Sequence, residues 1–268
     1  MNYFTNEHEM FRESLRDFLN KEVKGNINKW ESEQKIPKDI WKKMGEQGFL
    51  GLTYPEKYGG FELDFFFEVI LFEEMSKMNS GGFVITQQVV QSMSSPYILK
   101  YGSEFLKEKY LPGIISGDLI GCIGITEPDV GSDVKNIKTR AEDKGDHYVL
   151  NGSKTYITNG VYGDFVVTVC KTNPSAGTKG ISLIVVDLNS DGINRTKIDK
   201  LGWHASDTAE ISFDNVKVPK VNLIGEEGKG FYYLMNGLQL ERLIFVPSCI
   251  GAMELAISES IKYMKERK

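Results

Sequence analysis

The sequence has few of the residues from which metal sites and disulfide frameworks are built. It contains three histidines and three cysteines in 268 residues. The cysteines Cys122, Cys170 and Cys249 are far apart and odd in number, and no Cys-x-x-Cys pair occurs. This spacing fits neither a disulfide framework nor a zinc site. We therefore expect three reduced thiols, mostly buried, and no bound metal.

An excess of positive charge and long apolar runs are also missing. The formal net charge is −5, so the chain as a whole has no attraction for nucleic acid or anionic lipid. No apolar run approaches membrane-spanning length, and the segment Met1–Glu7 lacks a basic region followed by an apolar stretch. We expect a soluble, cytoplasmic protein that binds no nucleic acid and has no membrane span.

The hydrophobic pattern that is present changes its period twice. Apolar residues recur at helical spacing over residues 1–119, alternate with a period of two over 120–226, and return to helical spacing over 227–268. We predict a multi-domain α+β fold with a helical domain, an antiparallel β-barrel-like domain and the first part of a helical bundle. Within the β segment, Asn151-Gly152 predicts a type I′ hairpin between two short strands.

The first run that indicates chemistry lies where a predicted strand ends, in the segment Ile123–Asp133. Pro128 removes a donor and stiffens the chain, and Gly131 permits a positive φ angle. Successive N–H groups in such a loop can point at one acceptor, which suits an anionic or carbonyl-rich ligand. An ordinary strand exit explains the same residues.

The second run is Asn151–Gly160. Tyr156 and Thr158 are two residues apart on a predicted strand, so their side chains are expected on one face. An aromatic plane beside a hydroxyl can stack on a flat heterocycle and hydrogen-bond to its edge. An exposed hairpin with a cross-strand aromatic is the alternative. No Gly-x-Gly-x-x-Gly follows a strand, so a nicotinamide nucleotide is not expected.

In this order and spacing, the two runs resemble the flavin-binding signatures of the acyl-CoA dehydrogenase family. The resemblance extends over the whole chain, including the segments 200–210, 213–219 and 230–233, and is strongest to the long-chain and isovaleryl branches. The helical, β, helical order also matches that family. The resemblance implies an oxidoreductase of fatty acid metabolism that uses FAD.

The family likeness also implies roles for individual residues. Tyr156 would stack on the flavin, at a position where the family usually has Trp or Phe, with Ile157 and Thr158 beside the ring. Arg267 matches an arginine that reaches the cofactor in the partner subunit, and Ser132 would also touch substrate. The residues implied to hold FAD through backbone and hydroxyl groups are Ile123, Gly124, Ile125, Thr126, Gly131 and Ser132.

Desaturation next to a thioester requires a carboxylate that takes the α-proton while flavin accepts the β-hydride. In the long-chain and isovaleryl branches this carboxylate precedes an arginine on a helix, and Glu241 occupies that position here. The resemblance implies that Glu241 is the catalytic base and that Arg242 contacts the nucleotide part of the thioester carrier. The alternative to a catalytic role is an ordinary Glu-Arg pair on the helix surface.

Two further groups of residues admit two interpretations each. Trp203 and His204 follow a glycine, and either reach the flavin or a redox partner or pack on their own domain. The run Phe65–Phe67 and the methionines belong either to the core or to a substrate tunnel.

Family members continue through several more helices, so we expect a C-terminally truncated chain. The helix Phe231–Leu243 and the segment Ile250–Tyr263 would then each expose an apolar stripe. The expected partners are an acyl-CoA substrate, an electron-transfer flavoprotein as acceptor, and further copies of the chain in a dimer or tetramer. The alternatives are a dehydrogenase of acyl-carrier-protein thioesters, or a catalytically incompetent fragment that binds flavin weakly or serves as an oligomerisation module.

Overall fold

Helices form the first part of the chain in a computed structural model that describes residues 3–267. Thr5 caps the first helix, because its hydroxyl accepts from the His8 N–H while the His8 ring accepts from the Thr5 N–H. The helices of this part are α1 Asn6–Phe18, α2 Ile27–Glu33, α3 Lys38–Glu46, α4 Phe65–Ser76, α5 Gly81–Gln88, α6 Ser95–Tyr101 and α7 Glu104–Ile115. A π-helical turn, Val89–Ser94, joins α5 to α6.

A seven-stranded sheet follows, in the order β1-β4-β2-β3-β7-β6 with β5 paired to β4. Most pairings are antiparallel, as predicted, but β4 pairs in parallel with both β1 and β2. The strands are β1 Gly121–Gly124, β2 Arg140–Asp143, β3 His147–Thr158, β4 Phe165–Lys171, β5 Ile181–Asp187, β6 Ile193–Lys197 and β7 Thr208–Pro219.

The predicted hairpin at Asn151-Gly152 is wrong, because both residues lie inside the continuous strand β3. Strand β7 pairs with β3 on both sides of this point, with a register shift between Leu150 and Gly152. The Asn151 side chain accepts from the Asn215 N–H at 2.9 Å, and Gly152 has a φ of 144°. Asn-Gly therefore provides a bulge here rather than a chain reversal.

Two helices end the described chain, α8 Gly230–Leu243 and α9 Phe245–Glu266. Helix α9 approaches α4 closely at Gly251, where a Cβ would lie 2.2 Å from the Ser76 hydroxyl oxygen. The apolar stripe predicted for Ile250–Tyr263 is confirmed, since large apolar side chains of α9 are exposed at Ile250, Met253, Ile257, Ile261 and Tyr263. In the described part of the chain, residues 3–267, no helix is long and apolar enough to cross a bilayer.

A buried carboxylate ties α1 to α4. The Glu74 side chain is 1% exposed and accepts hydrogen bonds from Arg12, Arg16 and Lys77 at 2.9–3.1 Å. Burial raises the pKa of Glu74, but the three cations outweigh it and lower that pKa to about 2. The folded state therefore favours ionised Glu74.

Because this pKa is lowered, the stabilising contribution of Glu74 is present above its unfolded value, near 4.5, and is lost as the pH falls towards 2. The contribution at neutral pH is on the order of 3 kcal/mol. We expect Glu74→Gln to lower the free energy of unfolding at pH 7 and to flatten its decrease below pH 5. Urea unfolding across pH measures both effects, with the exposed Glu108→Gln as the control. Equal acid sensitivity in wild type and Glu74→Gln would contradict this account.

Candidate active site

A cavity of about 320 Å³ lies where α5, the π-helical turn, the sheet and α8 meet. This volume is within the range of roughly 300–1,000 Å³ that is usual for small-molecule sites. The lining residues are Ile85, Val89, Met93, Ile123, Ile125, Thr126, Tyr156, Ile157, Thr158, Leu238, Glu241, Arg242 and Phe245.

The structure brings most of the sequence-predicted site residues to this cavity and leaves four outside its lining. Gly124 is buried in β1 beside Lys154, and Gly131 and Ser132 lie exposed in the loop that follows. Arg267 is the C-cap residue of α9. The residues brought together are Ile123, Ile125, Thr126, Tyr156, Ile157, Thr158, Glu241 and Arg242.

The loop after β1 is anchored by a buried ion pair. Lys154 Nζ donates to the Glu127 carboxylate at 2.8 Å and to the Ile125 carbonyl at 3.0 Å, and both charged side chains are almost fully buried. The same carboxylate accepts from the N–H groups of Lys138 and Thr139 at 2.6 and 2.9 Å. Burial raises the pKa of Glu127, but Lys154 and these donors lower it overall. The pair therefore fixes Ile125 at the cavity wall.

Strand β3 ends at the cavity with a strained residue. Tyr156 has a φ of 59°, lies within a register shift between Lys154 and Ile157, and has 70% of its surface exposed. A bulky residue in this region costs about 1–3 kcal/mol, and such residues cluster at ligand sites. Because the shift interrupts the strand alternation, Ile157 lines the cavity together with Tyr156 and Thr158. An exposed ring beside a hydroxyl fits a flat heterocycle.

Glu241 faces the same cavity from α8. It is only 9% exposed, so the alternative of a surface Glu-Arg pair does not hold, although Arg242 is exposed. The Tyr97 hydroxyl donates to Glu241 Oε1 at 2.6 Å. Burial raises the pKa of Glu241, while the hydrogen bond from Tyr97 and the charge of Arg242 lower it in part, and the net direction is upward. A buried carboxylate with a raised pKa is suited to accept a proton.

Sequence reasoning missed one wall of the cavity and the partner of Glu241. Ile85, Val89 and Met93 come from α5 and the π-helical turn, a type of irregularity that is frequent at functional sites. Tyr97 is 144 residues from Glu241 in the chain, so no local pattern pairs them. Met93 lines the cavity, so at least one of the methionines does not belong to the core alone.

The remaining candidates lie away from the cavity. Trp203 packs on the start of α5, where a Cβ on Gly81 would lie 2.1 Å from the indole nitrogen. It lines a different cavity, of about 990 Å³, between the first helices and α9. Phe67 belongs to the core, where its ring lies 4.3 Å from that of His8. In residues 3–267, no group of three His, Cys, Asp or Glu side chains is placed to hold a metal ion.

The fold is that of acyl-CoA dehydrogenases. Family models described as the N-terminal, middle and C-terminal domains of acyl-CoA dehydrogenase match residues 5–118, 122–216 and 228–268. The chain belongs to the acyl-CoA dehydrogenase family, which confirms the resemblance seen in the sequence.

Individual relatives show the extent of the likeness. The mouse mitochondrial long-chain specific acyl-CoA dehydrogenase is 40% identical, over 99% of this chain and 62% of its own length. A glutaryl-CoA dehydrogenase of Desulfococcus multivorans is 39% identical over 98% of this chain and 68% of its own length. The crystal structure of an acyl-CoA dehydrogenase from Geobacillus kaustophilus superposes with a TM-score of 0.96 at 45% identity, covering 100% of this chain and 70% of that one. The chain thus spans about 62% of the first of these relatives.

Proposed function

We propose that this chain carries the active site of an FAD-dependent dehydrogenase that forms the α,β double bond of an acyl-CoA thioester. The main support for this proposal is the cavity, where the buried carboxylate of Glu241 lies together with the Tyr156–Thr158 end of β3. A carboxylate and a flat acceptor held around one substrate are what this reaction requires.

The loop after β1 and the end of β3 fit the flavin. FAD, when bound, supplies the acceptor for the β-hydride. The exposed ring of Tyr156 would stack on the flavin, and Thr158 would hydrogen-bond to its edge. Ile125 and Thr126 would bound it from the loop that the buried Lys154 anchors. The strain at Tyr156 is consistent with a residue fixed in advance for a ligand.

Glu241 would remove the α-proton of the thioester. Its burial disfavours the ionised form, which makes the carboxylate a stronger base than one in water. The exposed Arg242 follows it at the cavity lining and would contact the nucleotide part of CoA. Ser132, in the exposed loop after β1, would contact substrate as it enters.

We propose an acyl-CoA as the substrate and assign no length to its acyl chain. Relatives named for long-chain and for glutaryl substrates are almost equally similar to this chain, at 40% and 39% identity. We also propose an electron-transfer flavoprotein as the acceptor, by analogy with the family. Further copies of the chain would associate with it, since α9 presents an apolar face that includes Ile257 and Ile261. We therefore propose that the protein acts in fatty acid metabolism.

The first test determines which cofactor is bound and how tightly the protein binds it. Protein denatured as purified, without added cofactor, should release FAD in stoichiometric amount, and chromatography identifies the released molecule. Because aromatic stacking contributes roughly 1–3 kcal/mol, we expect Tyr156→Ala to weaken FAD binding about tenfold to a hundredfold, whereas Tyr156→Phe retains it. The control is Tyr162→Ala, at an exposed tyrosine outside the cavity lining. Stoichiometric FMN or NAD in place of FAD would contradict the proposal, as would full affinity in Tyr156→Ala.

A further inference from the structure

We propose that Tyr97 is a positioning residue for the catalytic base, because its hydroxyl holds one oxygen of Glu241 and keeps the carboxylate ionised and aimed at the cavity. This inference rests on the proposed function of Glu241. It concerns a residue on α6, a helix that supplies no lining residue to the cavity.

The hydrogen bond between Tyr97 and Glu241 is short and buried. Tyr97 is 2% exposed, and its hydroxyl oxygen lies 2.6 Å from Glu241 Oε1. This distance is typical of a hydroxyl that donates to a charged carboxylate, the stronger class of hydrogen bond. Within residues 3–267 this is the one hydrogen bond that the structure gives to the Glu241 side chain. One oxygen is therefore fixed, and the other is available to substrate.

Gly237 provides the space for this contact. It precedes Glu241 by one helical turn, so the two positions lie on the same face of α8. A Cβ at Gly237 would lie 2.2 Å from the Tyr97 hydroxyl oxygen. The tyrosine thus reaches the carboxylate only because residue 237 has no side chain.

A second contact holds α6 against α8. The rings of Tyr101 and Tyr233 stack with centroids 4.0 Å apart, and the Asn236 amide donates to the Tyr101 hydroxyl at 3.4 Å. These side chains fix the distance between the helices independently of Glu241. Tyr97 is therefore held in place by the fold and does not depend on the carboxylate for its position.

In the part of the chain that the structure describes, few titratable groups face Glu241. They are Tyr97, with Tyr101 behind it on α6, Arg242 on its own helix, and Tyr156 across the cavity from β3. Arg242 is exposed and its charge is screened by water. A hydrogen bond donated to the charged form favours that form, so Tyr97 opposes the effect of burial on the carboxylate. Without Tyr97, Glu241 would take up a proton at a higher pH and lose its fixed orientation.

The test compares Tyr97→Phe with wild type in FAD-loaded protein. The second-order rate of flavin reduction by an acyl-CoA, measured against pH, reports the pKa of the base in the free enzyme. We expect the acid limb of Tyr97→Phe to move up by about one to two pH units. Tyr232→Phe, which removes an exposed hydroxyl from α8 without touching Glu241, should leave the limb in place. An unmoved limb in Tyr97→Phe would overturn the inference.

A second measurement needs neither flavin nor substrate. Difference infrared spectra between each protein and its Glu241→Gln counterpart follow the protonation of this one carboxyl group. The midpoint should rise in Tyr97→Phe, and also in Gly237→Ala, where the tyrosine is retained but displaced. Unchanged midpoints in both variants would again overturn the inference.

Failure of this inference is distinguishable from failure of the proposed function. If Glu241→Gln reduces its flavin at the normal rate, Glu241 is not the base and the proposed function is wrong at that point. If Glu241→Gln is inactive while the acid limb of Tyr97→Phe does not move, the base is correctly assigned and only the role of Tyr97 is wrong.

Discussion

Replacing Glu241 by glutamine is expected to slow flavin reduction by an acyl-CoA by about 10²–10⁴-fold, the usual contribution of a positioned general base. Glutamine has the same shape but cannot accept the α-proton. Its amide can still accept a hydrogen bond from Tyr97, so the cavity keeps its form. Flavin and thioester should therefore still bind. Stopped-flow absorbance under anaerobic conditions measures the reduction rate, and equilibrium titration measures binding.

The matched control is Glu259→Gln, which removes an exposed carboxylate from the neighbouring helix α9. It should bind and reduce at the wild-type rate. If Glu241→Gln also reduced its flavin at the wild-type rate, the base would have to lie elsewhere. A Glu241→Gln protein that no longer binds flavin would show instead that the residue supports the site's structure.

Replacing Lys154 by methionine is expected to lower the free energy of unfolding by about 3–5 kcal/mol, the usual cost of removing one partner of a buried ion pair. The side chains of Lys154 and Glu127 are 0% and 4% exposed, so water cannot replace the lost partner. The loop that carries Ile125 also loses the hydrogen bond from Lys154 Nζ to its carbonyl. Flavin affinity should therefore fall together with stability. Urea unfolding and flavin titration measure the two effects.

Two further variants distinguish the effect of breaking the buried ion pair from the effect of losing any lysine. Lys138→Met removes a cation whose ion pair with Asp129 is largely exposed, so it should change stability by less than about 1 kcal/mol. The double variant of Glu127→Gln with Lys154→Met removes both charges and should recover part of the loss, since no unpaired ion remains. A Lys154→Met protein as stable as wild type would show that the ion pair contributes nothing.

The order of helices and strands could be predicted from the sequence because hydrophobic period is a local property. The hairpin at Asn151-Gly152 could not be judged in this way. Its dihedral preference fits a turn or a bulge, and the choice depends on β7, whose Asn215 bonds to Asn151 from 64 residues away. The parallel pairings of β4 have the same origin, because strand order is set by tertiary packing rather than by any one strand's sequence.

The candidate site was predictable where motif residues and cavity coincide, as for Thr126, Thr158 and Glu241. Tyr97 was not, because its approach to Glu241 depends on how α6 packs on α8. One signal was available in the sequence: Gly237, four residues before the predicted base, marks a close approach to the same helix face. What the glycine admits could be known only from the structure.

The most direct test of the central claim is an anaerobic titration of the FAD-loaded protein with saturated acyl thioesters of several chain lengths and branching patterns. We expect at least one acyl-CoA to bleach the flavin stoichiometrically and to be recovered as the trans-2-enoyl thioester. Parallel titration with the same acyl groups on a carrier protein determines which thioester carrier is used. An oxidised flavin spectrum unchanged by every thioester, in protein that holds a full complement of FAD, would contradict the account.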